Sequence, residues 1–132
     1  MDRRVEQLQE EFKYYVGTAR AAVEANGICV YCREDLLASR LGYSSMEREH
    51  LIPKEAHPEL EWEALNEVLS CRSCNSLKGK YNPLQDDESA LEMLRFRRTD
   101  LIERVRGYMK EPIETREREW IRVWEIIRNA EQ

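Results

Sequence analysis

Four cysteines stand in two matched turns, Cys29-Val30-Tyr31-Cys32 and Cys71-Arg72-Ser73-Cys74, and they are all the cysteines the chain has. A Cys-x-x-Cys turn offers two sulfurs to one side of an ion. Two such turns complete the tetrahedron of thiolates that zinc favours, with Zn–S near ~2.3 Å. In a reducing compartment, paired motifs of this kind point to metal rather than to a disulfide. The pairs are separated by 38 residues, Arg33 to Ser70, where a zinc ribbon uses about 15–20. The insertion is therefore expected to fold as a unit, and loss of zinc to unfold it.

That insertion carries a second set of reactive residues. Glu49-His50-Leu51-Ile52-Pro53 lies between the pairs, and Asn75 follows the last cysteine directly. Imidazole is the side chain best suited to take a proton from water near neutral pH. A carboxylate and an amide oxygen are hard donors suited to Mg²⁺ or another divalent metal. A metal held by Glu49 and Asn75, with His50 as base, meets the needs of phosphodiester hydrolysis. Lys78, Lys54, Lys80 and Arg72 are candidates to hold flanking phosphates as point charges. His57 has no comparable neighbours and reads as a loop residue. Trp62 and Leu65 are assigned to core packing.

These groups need elements to hold them. Glu47 to Ile52 and Asn66 to Ser70 are short strand candidates, with Pro53 stopping the first. Residues 53–64 read as a loop. Arg72 to Lys78 reads as a short helix ended by Gly79. Residues 34–41 are expected to make two helical turns ended by Gly42. Upstream, Val5, Leu8, Phe12, Val16, Ala19 and Val23 share one helical stripe, which predicts a single helix over 3–25 with Asp2 as N-cap. Downstream, a helix is predicted over 88–110 and another over 113–130, separated by Glu111-Pro112 because proline cannot continue a helix interior.

The 132 residues fit one domain: an N-terminal helix (1–27), a metal-bearing core (28–84) and a C-terminal helical hairpin (85–132). Charged residues make up 36% and hydrophobic residues 42%, with few Gly and Pro, a helix-leaning composition. The net charge of −5 is spread over all three segments. It argues against a stand-alone nucleic-acid coat, so a DNA substrate would be held by a local patch, by metal or with help from a partner. The charged start lacks an apolar signal core and no run suits a membrane span, so a cytoplasmic protein is expected.

The run Glu49-His50-Leu51-Ile52-Pro53-Lys54, then Asn66, then Cys71-Arg72-Ser73-Cys74-Asn75-Ser76-Leu77-Lys78-Gly79 resembles the HNH endonucleases, in the subgroup stapled by two Cys-x-x-Cys pairs. The resemblance covers about residues 28–84. It implies an α+β, mostly helical chain with a small ββα-metal core, a structural Zn²⁺ on Cys29, Cys32, Cys71 and Cys74, and flanking helices. It also implies His50 as general base, Glu49 and Asn75 as ligands of a catalytic divalent metal, and Asn66 as the residue that fixes the loop so that His50 points at the phosphate. The function so implied is metal-dependent cleavage of DNA, duplex being expected. The rival readings are a catalytically silent zinc-stabilised DNA- or protein-binding module, and a nuclease subunit active only with an oligomer or ATPase partner docked on the flanking helices.

Overall fold

In the computed structural model, which describes residues 2–129, two short strands carry the centre of the molecule. β1 (Met46–His50) and β2 (Glu67–Cys71) pair antiparallel, with Arg48 opposite Leu69 and His50 opposite Glu67. Every residue of β2 is buried. Helix α4 (Arg72–Lys78) follows without a break, its N-terminus capped by the Cys71 sulfur. Gly79 ends it with φ +53° and ψ −126°, a backbone conformation that a side chain disfavours. Strand, strand and helix thus form a ββα unit, with ends within a residue or two of the sequence expectation.

The other elements cover this unit. The N-terminal stripe does not form one helix. It is divided into α1 (Arg3–Phe12) and α2 (Val16–Glu24) by Lys13, which takes the left-handed conformation at φ 60°. The Lys13 and Tyr14 amides close the end of α1 on Gln9 and Leu8 carbonyls. The turn releases Tyr14 toward the Tyr43 hydroxyl and Tyr15 toward Trp62 and Arg48. Phe12, expected on the buried stripe, is 62% exposed. Helix α2 packs on the sheet so closely that a Cβ on Gly17 would lie 1.8 Å from a Glu67 carboxylate oxygen.

Residues 34–39 make turns rather than helix, and a short α3 (Arg40–Ser44) begins after them. The Ser39 hydroxyl caps the Gly42 amide, which moves the helix start downstream and leaves Gly42 inside it.

The C-terminal half departs most from expectation. Helix α5 (Ala90–Phe96) ends at Arg97, and α6 (Arg98–Arg128) runs 31 residues straight through Pro112. The expected hairpin hinge at Glu111-Pro112 is therefore absent. Pro112 removes one helical bond, to the carbonyl of Tyr108, a residue open to solvent, where water can replace it. Leu101, Val105 and Met109 of α6 are fully buried in one apolar cluster with Leu51, Ile52 and Leu69, each contributing about 1.5–3 kcal/mol by burial. Arg106 of α6 donates to the Val30 carbonyl, tying the helix to the first cysteine turn. No helix among the described residues is long and apolar enough to cross a membrane.

Candidate active site

The four cysteine sulfurs converge, all lying within 4.8 Å of one another. The Cys32 and Cys71 sulfurs are 3.9 Å apart, near the ~3.8 Å edge of a zinc tetrathiolate built with the usual bond length. The Cys71 amide donates to the Cys29 sulfur and the Cys74 amide to the Cys71 sulfur, both at 3.4 Å. Bonds from Cys32, Cys71 and Cys74 hold the Cys29 thiol far below its ordinary range, while the same crowding pushes Cys74 far above. Four thiolates cannot share this space without a cation, and the donor set fits structural zinc.

About the sheet, Glu49, His50, Lys54 and Asn75 line one groove of about 160 Å³. His50 sits at the end of β1, and its Nε2 lies 2.8 Å from the Glu61 carbonyl oxygen. A carbonyl only accepts, so Nε2 carries a proton, which leaves Nδ1 as the basic nitrogen of the neutral ring. Asn66 is fully buried. Its Oδ1 accepts from the Ile52 amide at 2.7 Å and its Nδ2 donates to the Ile52 carbonyl at 2.8 Å. The Leu51 amide adds a third bond to the Asn66 carbonyl at 2.9 Å. This clamp closes the base of the loop that carries Glu61.

Glu49 is buried and both of its oxygens are engaged. Lys78 Nζ donates to Oε1 at 2.7 Å and the Tyr31 hydroxyl to Oε2 at 2.5 Å. Burial pushes the Glu49 carboxyl up, and the Lys78 charge and the bonds from Lys78 and Tyr31 pull against it. Burial and the neighbouring Glu49 charge raise Tyr31 well above its usual range, so it stays a donor. Asn75 donates to Glu47 Oε1 at 2.8 Å, and Arg72 lies 3.2 Å from Glu47 Oε2.

The match to known families falls on the same stretch: residues 29–81 fit the family model described as HNH endonuclease. Residues 29–81 thus match the HNH family as a domain. No curated protein matches the chain. The HNH domain points in general to a nuclease-type activity, and its four cysteines are placed to hold a metal ion, as in the zinc-binding kind.

Within the HNH domain, the expected residues fall into two groups. Cys29, Cys32, Cys71 and Cys74 come together at one place, and Glu49, His50 and Asn75 at another. Lys78 does not join the phosphate-facing set. Its side chain is 1% exposed, and its ammonium donates to Glu49 and to the His50 carbonyl. Lys54, 3.5 Å from Glu61, and Arg72 are exposed, as is Lys80. His57 lies in the loop beside Glu59, at 2.9 Å. Trp62 is 63% exposed and Leu65 37%, so neither packs in the core. The Trp62 ring instead meets the edge of Tyr15 at 5.7 Å, with the Arg48 guanidinium over it.

Three participants escaped the sequence reading: Tyr31, Glu47 and the Glu61 carbonyl. Glu47 stands two residues before Glu49, so strand alternation turns both toward α4. That signal was present in the sequence. Tyr31 lies between zinc ligands, where the cysteines draw the eye. A backbone carbonyl leaves no trace in residue type.

Proposed function

We propose that the HNH domain is a metal-dependent endonuclease that hydrolyses phosphodiester bonds of DNA, with His50 as the general base. The observation that carries this reading is the bond from His50 Nε2 to the Glu61 carbonyl. It selects the tautomer in which Nδ1 is the basic nitrogen of the neutral ring, as a base acting on water requires. Glu49 and Asn75 are the residues that would hold a divalent cation. Their oxygen donors suit a hard ion, and the Lys78 ammonium on Glu49 Oε1 marks a cation position there. Such an ion, when bound, supplies charge neutralisation at the phosphate. Asn66 holds the loop that aims His50. Lys54, Lys80 and Arg72 are the exposed cations nearest in sequence to these groups, and they are assigned to flanking phosphates.

The test is nicking of supercoiled plasmid over Mg²⁺, Mn²⁺ and Ni²⁺ by the parent and by His50→Ala. The parent should nick in at least one metal, and the variant should lose about 10²–10⁴-fold in rate with its zinc content unchanged. A variant as fast as the parent removes His50 from the reaction. One observation favours a second reading, a domain that binds nucleic acid without cutting it: both Glu49 oxygens are already engaged. Retention of DNA by the parent with no cleavage in any of the three metals would select that reading.

A further inference from the structure

Helix α6 outruns the body it packs on. From Glu114 to Arg128 none of its residues is buried. That overhang is about 22 Å long at 1.5 Å per residue. Its apolar content is high: Trp120 is 67% exposed, Trp124 49%, Ile121 52% and Ile127 68%. Ile113, Trp120, Trp124 and Ile127 recur at steps of seven, four and three, which places them on one stripe. The stripe prolongs the face that Val105 and Met109 press into the core. A helix of this length with an uncovered apolar face is marginal in water unless something packs on it.

We propose that the occupant is the same segment of a second copy, laid antiparallel across a two-fold axis. Three observations select it. First, charge: the overhang holds Glu114, Glu117, Glu119 and Glu125 against Arg116, Arg118, Arg122 and Arg128, a sum of zero. Three of the four acidic residues stand in its near half, while the arginines are split evenly, with Arg128 at the far end. An antiparallel pair brings Glu114 of one copy to Arg128 of the other, twice, with Glu117 and Glu125 the one like-charged pair at the same level, whereas a parallel pair sets every charge level with its own copy. Second, area: Trp120, Trp124, Ile121, Val123 and Ile127 leave on the order of 600 Å² of side chain uncovered. A standard interface needs about 800 Å² per partner, and the stems of the flanking arginines supply the balance. Third, space: a groove of about 760 Å³ runs between the cysteine turns and α6, lined by Leu77, Ile113, Glu114, Glu117 and Trp120. In the antiparallel arrangement the far end of the second helix, with its Ile127 and Arg128, enters that groove. Ile127 meets Leu77 and Ile113, and Arg128 meets Glu114. The inference stands apart from the nuclease reading, because it concerns assembly alone.

The experiment is sedimentation equilibrium of the full zinc-loaded chain from low to high micromolar concentration. The expected mass is that of a dimer in reversible exchange with monomer. Trp120→Glu combined with Trp124→Glu should leave a monomer with the parent's zinc content, its helical circular dichroism lowered by no more than the overhang's share, since both rings are exposed in the single chain. Glu114→Lys and Arg128→Glu should each weaken the dimer roughly ten-fold, and the two together should restore it. A parent that is monomeric at every concentration overturns the proposal. A dimer indifferent to the tryptophan changes moves the interface elsewhere and overturns it equally. Single charge reversals that the double variant fails to rescue overturn the antiparallel pairing.

Discussion

Replacing Asn66 by alanine should damage both the stability and the aim of the site, and the structure sets the size of the loss. The side chain is fully buried and makes two bonds to one peptide unit, to the Ile52 amide at 2.7 Å and its carbonyl at 2.8 Å. Each bond contributes about 0.5–1.5 kcal/mol net, and a buried partner left unsatisfied costs about 1–3 kcal/mol. Ile52 is itself fully buried, so water cannot readily replace what is lost. The expected loss is therefore about 2–5 kcal/mol, a large share of the stability of a domain this size. Urea unfolding followed by tryptophan fluorescence, with zinc present, measures it. Asn66→Asp sharpens the test. It keeps an acceptor for the amide but sets a carboxylate oxygen against the Ile52 carbonyl, so it should fare no better than alanine. A loss under about 1 kcal/mol for alanine, or an aspartate variant equal to the parent, would refute the account of the clamp. Under conditions where the alanine variant is still folded, its nicking rate should fall while its zinc content holds. The cysteines lie outside the loop, whereas the carbonyl that orients His50 lies within it.

Lys78→Met should cost about 3–5 kcal/mol at neutral pH by leaving Glu49 buried without its partner, whereas loss of a surface phosphate contact would leave the urea midpoint unmoved. The deficit should shrink as pH is lowered. With Lys78 gone, burial holds the folded Glu49 pKa above its unfolded value, so the folded variant binds the extra proton; that stability is full below the unfolded pKa and is lost as pH rises through the folded one. A deficit constant from pH 8 to pH 5.5 would contradict the assignment. Stripping zinc with a chelator should abolish the cooperative unfolding transition and expose the thiols to titration, and adding zinc back should reverse both. A stripped protein that keeps its near-ultraviolet spectrum would show that the cysteines do not need the ion.

The ββα unit was readable because its signals are local and covalent. Cysteine spacing, Pro53 and Gly79 each act on the chain within a few residues, and α4 falls on Arg72–Lys78 as expected. The misread segments are those where distant packing decided the outcome. Lys13 adopts a conformation its type disfavours because the turn delivers Tyr14 and Tyr15 to Tyr43 and Trp62. Pro112 is tolerated because one missing bond is a small loss in a helix of 31 residues anchored at its other end. Lys78 was misplaced for a related reason: a lysine four residues past the second cysteine pair reads as surface, and only the fold brings the Glu49 carboxylate beneath it.

The Glu49–Lys78 pair gives the two candidate metal sites opposite characters. The cysteine cluster gathers four sulfurs within 4.8 Å of one another, and a bound cation would balance their charge. The groove already contains its counterweight. With Lys78 in place, Glu49 is neutralised and the strand, loop and helix around it are complete. On the proposed reading, loading a divalent cation on Glu49 would be an exchange of one cation for another rather than the filling of a hole. On the proposed reading, the groove would be folded and charge-balanced before any metal or substrate reached it.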